Sequence, residues 1–223
     1  MKNKNQHQAD LVALHEKSIN LDTNEIYLHS HISDHDDEAG IDFRSAILFN
    51  KNFNYLDSLN ENPIVVHLHT IGGSVSDGLS IYDTISQSSK QVTILGYAEV
   101  QSMSSIIFQA GDVRILLPST IFMVHDVSII NGSGTLNANK SFMSSLDYQF
   151  KRMLSAYTKK CAVGPFFKER SYSESQIRKF IQRKISQKTD WYMSADEALY
   201  YGFTDHILGD KVYPNIKSIR NGV

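Results

Sequence analysis

Three segments place a reactive group at the end of an element whose composition suits burial. Gln101-Ser102-Met103-Ser104 lies between an apolar strand pattern and a helical one. Met123-Val124-His125-Asp126 closes a second strand pattern, and Asp190-Trp191-Tyr192-Met193-Ser194-Ala195 carries an aspartate ahead of a capped helix. Ser, His and Asp on separate elements are what acyl transfer requires: a nucleophile, a base to take its proton, and a carboxylate to orient the base. A serine at a helix N-terminus also lies near unpaired backbone N–H groups and the positive end of the helix dipole, which favour a developing anion. Residue types alone leave other readings open. The chain has nine histidines, a strand-end histidine is commonly a hydrogen-bonded core residue, and a serine before a helix is commonly a cap.

Other groupings invite metal or nucleotide chemistry. His29-Ser30-His31-Ile32-Ser33-Asp34-His35 approaches an H-x-H-x-D-H ligand run, but has one residue too many between His31 and Asp34. His67 and His69 share a strand face with no third ligand in view, and Cys161 has no motif around it. Gly72-Gly73 lacks the lysine of a phosphate-binding loop. The sequence therefore predicts no metal and no cofactor.

The elements that would carry these residues follow from hydrophobic periodicity. Ile64–Leu68 (IVVHL) is β-branched and nearly continuous, as in a strand buried on both sides, and it leads into Thr70-Ile71-Gly72-Gly73-Ser74. A helical pattern through Leu79, Ile81, Tyr82 and Ile85 follows, then a strand over Val92–Tyr97, a helix from Ser102 to about Ala110, and short strands over Val113–Leu117 and Ile121–Val124. Earlier, Ile26–Leu28 reads as a strand and Ile41–Leu56 as a helix. The alternation predicts an α/β fold with a mainly parallel sheet. Asn131–Gly134 reads as a loop, and the longest helical pattern spans 136–160 up to Gly164-Pro165. Ser173 with Gln176, and Ser194 with Glu197, fit capping boxes, and Gly202 fits a C-terminal cap. Residues 1–23 are expected to be mobile or to order in an assembly, 24–209 to form one domain, and 210–223 a tail.

Composition sets broad limits. Hydrophobic residues are 41%, charged residues 21%, and 22 Lys+Arg oppose 24 Asp+Glu, for a net charge of −2. This gives no support to a nucleic-acid or anionic-membrane partner. One cysteine permits no intrachain disulfide. The start MKNKNQHQAD lacks the apolar core of a secretory signal, and no run approaches the ~18 apolar residues of a membrane span. A cytoplasmic protein is expected.

Several landmarks together resemble the proteolytic subunit of the Clp (caseinolytic) protease family, ClpP. They are Thr70-Ile-Gly-Gly-Ser-Val, Ile81-Tyr-Asp-Thr-Ile, Gln101-Ser-Met, Met123-Val-His, and Asp190-Trp-Tyr-Met-Ser-Ala-Asp-Glu-Ala with Tyr201-Gly-Phe-Thr-Asp. They occur in the family's order across roughly residues 25–208. The resemblance implies the β-α superhelix that ClpP shares with crotonases, with a protruding handle helix at 136–160 that interlocks two heptameric rings. It implies Ser102 as nucleophile, His125 as base and Asp190 as orienting acid of a serine endopeptidase, with Gly73 and Met103 supplying the oxyanion-hole amides. Peptides or unfolded proteins are the implied substrates, and a Clp-type AAA+ ATPase the implied partner. The family's ATPase-docking pocket maps to Val65, His67, Leu95, Tyr97, Ile115, Leu117 and Leu208.

There are departures. Ile71 replaces the proline that usually precedes the paired glycines, Ser104 replaces a glycine or alanine, and Asp126-Val127 replaces glutamine-proline. The first two resemble phage-encoded relatives more than housekeeping subunits. Val65 and His67 stand where the family has aromatic anchors, which predicts weak or altered docking of a standard Clp ATPase. Three alternatives are weighed: a catalytically silent ring subunit, a crotonase-type acyl-CoA enzyme, and a serine-lysine signal-peptide peptidase. The intact triad argues against the first, the Ser-Met/His/Asp set against the second, and the lack of a lysine near the three segments against the third.

Overall fold

The structure, a computed structural model, describes residues 4–29, 40–126 and 135–220. In chain order its elements are α1 (Lys4–Lys17), β1 (Ile19–Asn20), β2 (Glu25–His29), α2 (Phe43–Leu59), β3 (Ile64–Thr70), α3 (Val75–Ser86), β4 (Val92–Gln101), α4 (Met103–Phe108), β5 (Val113–Leu116), β6 (Ile121–His125), α5 (Leu136–Cys161), α6 (Pro165–Glu169), α7 (Glu174–Lys188), β7 (Asp190–Met193), α8 (Ala195–Tyr201), β8 (His206–Ile207) and α9 (Ile216–Arg220).

Among the described residues the strands form one eight-stranded sheet, ordered β1-β2-β3-β4-β5-β8, with β6 and β7 branching from β4. All pairings are parallel except β1 with β2 and β6 with β7. The expected mainly parallel α/β fold is thus present, and the alternation of strand and helix explains it: parallel neighbours need a crossover, and helices supply it.

Side-chain alternation along β3 divides the interior. Ile64, Val66 and Leu68 enter the main core with Phe49, Phe53 and Leu56 of α2, Ile81 and Ile85 of α3, and Ile106, Ile107 and Phe108 of α4. Val65 points the other way. With Leu95 and Ile115 it forms a second cluster, closed by Tyr213 and Ile219. The segment expected to be a tail from residue 210 therefore packs on the sheet through residue 219. At the other end, Ile19 is buried in the main core, and β1 pairs with β2, inside the stretch expected to be mobile.

The caps formed as the sequence predicts. Ser173–Gln176 and Ser194–Glu197 make reciprocal capping boxes, and Gly202 adopts φ 78° to end α8. Helix α5 is continuous but unevenly buried, with buried residues only from Met153 onward, while Leu136, Phe142, Met143 and Tyr148 are exposed on its first half. The fully buried guanidinium of Arg114 bonds Asp205, Gln109 Oε1 and the carbonyls of Gly202 and Phe203, tying β5 to the chain beyond α8. No described helix is long and apolar enough to cross a membrane.

Glu25 opens β2 with its side chain fully buried. Burial alone would push its carboxyl up, but hydrogen bonds from His67 and Arg220 outweigh this and hold it at about 2 against an ordinary 4.5. Because the folded value is the lower one, the stabilisation is fully present above pH 4.5 and is lost as pH falls toward 2. An acid titration followed by circular dichroism is expected to lose stability across that window. Glu25→Gln should be less stable at neutral pH and flatter within it.

Candidate active site

On the side away from β3, strand β4 serves two neighbours. Its residues Thr93–Gly96 pair with β5, and Glu99–Gln101 pair with β6. Between them Ala98 takes φ 35°, and the register with β3 shifts between Leu68 and Thr70. This bend delivers the end of β4 against β6, and Ser102 follows immediately.

Ser102 has φ 53° and ψ −124°, a conformation that costs a non-glycine residue about 1–3 kcal/mol. It stands at the N-cap of α4 but makes no side-chain capping bond. Its N–H donates to the Met123 carbonyl at 2.9 Å. The Oγ is turned instead to His125, 2.6 Å from Nε2. A sharp strand-to-helix turn exposes a serine hydroxyl in this way.

His125 ends β6, and β7 runs antiparallel beside it so that His125 and Asp190 occupy the same rung. Asp190 Oδ1 lies 3.7 Å from His125 Nδ1, an ion-pair distance but longer than a hydrogen bond. The Asp190 side chain is 44% exposed and that of His125 22%. Among the described residues, strand β7 pairs with β6 alone. The three sequence-predicted residues are thus brought together, the first two in contact and the third in looser register.

The paired glycines pack directly against this turn. Gly73, at φ 146°, forms an isolated parallel bridge with Ile41, flanked by Ile41 N–H donating to the Gly72 carbonyl at 2.6 Å and Ser74 N–H donating to the Ile41 carbonyl at 2.7 Å. A Cβ at Gly72 would lie 2.6 Å from the Ser102 Cβ, so only glycine fits beside the serine. Gly73, Ser102, Met103 and His125 line one cleft of about 700 Å³, with Phe142, Leu146, Gln149 and Met153 of α5 on its opposite wall and Asp126 at its edge.

Sequence reasoning missed the residues that brace the turn. Ser104, fully buried, has its hydroxyl 2.6 Å from the Thr70 carbonyl and 2.7 Å from that of Gln101, linking the glycine turn to the serine turn. Ser105 Oγ donates to the Ser102 carbonyl at 2.6 Å and lies 2.6 Å from the hydroxyl of Tyr157 on α5. A hydroxyl at 104, where the resemblance expects a small apolar residue or glycine, was the available signal. The wall residues Phe142, Leu146 and Met153 were legible only as helical periodicity.

The residues assigned to ATPase docking gather on the second face of the sheet. Val65, His67, Leu95 and Ile115 are buried, while Tyr97, Leu117 and Leu208 are partly so. His67 donates from Nε2 to the Glu25 carboxylate at 3.0 Å and has the Tyr97 hydroxyl 2.6 Å from Nδ1. His69 lies 3.9 Å from Glu99. Among the described residues no three His, Cys, Asp or Glu side chains converge as metal ligands, and the acidic and histidine-rich run from residue 30 to 37 lies outside them. So does the Asn131–Gly134 loop. Cys161 is buried, and burial pushes its thiol up, away from reactivity.

A mainly parallel α/β fold with a serine–histidine pair on a strand-to-helix turn defines a class of hydrolase, and comparison with known proteins narrows it. The Clp protease family model matches residues 21–211. The chain is 32% identical over 153 residues to the "ATP-dependent Clp protease proteolytic subunit" of Streptococcus sanguinis, covering 67% of this chain and 70% of that one. It is 30% identical over 156 residues to the protein of the same name from Deinococcus radiodurans, covering 69% of each. With "ATP-dependent Clp protease proteolytic subunit 3" of a Synechococcus strain it shares 28% over 165 residues, 72% of this chain and 73% of that one. The chain belongs to the Clp protease family. It is a ClpP-like serine-type peptidase, and the crotonase alternative falls away.

Proposed function

We propose that this protein is an endopeptidase in which Ser102 is the nucleophile, His125 the general base and acid, and Asp190 the orienting carboxylate. The observation that carries the reading is the 2.6 Å contact between Ser102 Oγ and His125 Nε2 on a strained turn. Ser102 Oγ attacks the peptide carbonyl as its proton passes to Nε2. The resulting oxyanion is received by the N–H groups of Gly73 and Met103. His125 then returns the proton to the departing amine, leaving an acyl-serine that water, deprotonated by the same imidazole, hydrolyses. A fluorophosphonate probe is expected to label Ser102 and no other residue. Labelling elsewhere, or none with hydrolysis intact, overturns the assignment.

Asp190 enters this scheme with a specific expectation. At 3.7 Å and half exposed it acts on the imidazole through solvent-screened attraction and orientation. Asp190→Asn is therefore expected to lower kcat by roughly 10- to 100-fold, well short of the ~10⁴-fold loss seen when a tightly bonded triad acid is changed. Steady-state hydrolysis of a short peptide measures it. A loss near the larger figure would mean that the pair tightens during turnover.

The reading extends to a self-compartmentalised assembly of stacked heptameric rings, with peptides or unfolded chains as substrates, a Clp-type AAA+ ATPase as feeder, and the cytoplasm as location. Its support is family membership and the apolar, exposed first half of α5. Light scattering is expected to give a mass many times that of the 25.2 kDa chain. A fully active monomer would contradict it. The loose Asp190 contact also supports a second reading, a weakly active or silent ring subunit, which the absence of probe labelling would favour.

A further inference from the structure

The face of the sheet opposite the main core is covered by the chain's own C-terminal segment. Val65, Leu95 and Ile115 are buried there against Tyr213 and Ile219, with Tyr97, Leu117 and Leu208 packed around them. The segment is held at both ends. Near residue 210, the Asp210 carboxylate accepts the N–H groups of Val212 and Tyr213 at 2.8 and 2.7 Å and pairs with His206 at 2.7 Å. At the far end, Arg220 donates from Nε and Nη2 to the two oxygens of Glu25, at 2.5 and 3.1 Å.

We propose that residues 210–220 are a displaceable plug over a protein-docking groove, and that the groove takes a partner loop presenting an apolar side chain followed directly by a cation, as Ile219-Arg220 does. The plug is slight: α9 is five residues long, only Tyr213 and Ile219 are buried, and Val212 and Ile216 are exposed. Elements held by so few buried contacts open locally at low cost. What lies beneath is not slight. Three aliphatic side chains from central strands make the kind of apolar patch that, uncovered, marks a protein interaction site.

Charge selects the partner. The buried Glu25 carboxylate has Arg220 on one side and His67, with the Tyr27 hydroxyl at 3.3 Å, on the other. Removing Arg220 leaves a buried anion short of its two-pronged cationic donor, so the competing loop must replace the cation as well as the apolar anchor. The plug stands on these contacts alone. Naming an ATPase as the partner rests additionally on the function proposed above.

The test uses a fluorescent synthetic peptide with the sequence of residues 210–220, its anisotropy measured against three full-fold proteins: the parent chain, Arg220→Ala, and a chain ending at Gly209. The two opened forms are expected to bind the peptide at least 10-fold more tightly than the parent. A peptide bearing Arg220→Glu or Ile219→Asp should not bind. Equal, weak binding by all three proteins, each shown folded by circular dichroism, overturns the plug. So does failure of the shortened chain to fold, which would make the segment part of the core. A pull-down of a bacterial Clp ATPase by the opened forms separates the two ideas. Capture that the parent lacks supports both, whereas peptide binding without capture keeps the plug and removes the ATPase.

Discussion

Ser102→Ala is expected to abolish peptide hydrolysis, by on the order of 10³-fold or more in kcat, while leaving fold and mass unchanged. The size of the effect follows from the proposed chemistry. Without Oγ there is no acyl-serine, and His125 has no hydroxyl 2.6 Å from Nε2 to deprotonate. The fold should be indifferent or slightly gain. Ser102 holds a backbone conformation at φ 53° that is unfavourable for any side chain, and its hydroxyl caps nothing. Hydrolysis of a fluorogenic peptide, beside thermal melts and light scattering, reads all three quantities. Near-normal turnover in this variant sinks the mechanism.

Gly73→Ala should be nearly as damaging, for a different reason. At φ 146° the backbone suits only glycine, and a Cβ there would lie 2.3 Å from the Ile41 carbonyl oxygen and 2.5 Å from its nitrogen. All of these contacts are with backbone, so no side chain can swing aside. The turn must move, and with it the Gly73 N–H proposed to receive the oxyanion. Loss of one such donor costs roughly 10²–10³-fold in kcat. KM should change little, since the α5 wall of the cleft is untouched. Probe labelling of Ser102 should slow in parallel, because the tetrahedral adduct uses the same amides. A variant with normal kcat would show that the oxyanion is stabilised elsewhere.

The parts of this architecture legible in the sequence were those with local causes. The IVVHL run of β3, the capping boxes at Ser173 and Ser194, and the αL glycine at 202 each follow from a few neighbouring residues, and each formed where expected. Strand β7 was not legible. Four residues, with Trp191 and Met193 buried and Tyr192 exposed, make a strand only because β6 is there to pair with. The extension of β4 past Tyr97 to Gln101 likewise depends on β6 and on the bend at Ala98, for which alanine gives no signal. Periodicity could not reveal that Tyr213 and Ile219 return to the sheet, since their partners Val65, Leu95 and Ile115 lie about a hundred residues or more away. The gathering of Ser102, His125 and Asp190 was inferred from family landmarks in register, not from spacing. Ser104 and Ser105 brace the site from inside; the first showed in the sequence only as a departure from the family pattern, and the second not at all.

The rung that joins His125 to Asp190 has a mechanical consequence. Between those two residues the chain leaves the sheet, travels through α5, α6 and α7, and returns to the adjacent position. The proposed base and acid are therefore the two feet of a long arch, and the outer foot is a strand of four residues that, among the described residues, pairs with β6 alone. The span between them is not loose chain: Met153, Leu154 and Tyr157 of α5 and Ile177, Ile181 and Ile185 of α7 are seated in the main core. The spacing of carboxylate and imidazole is thus set by how the whole arch seats in that core, and not by the few residues around either foot.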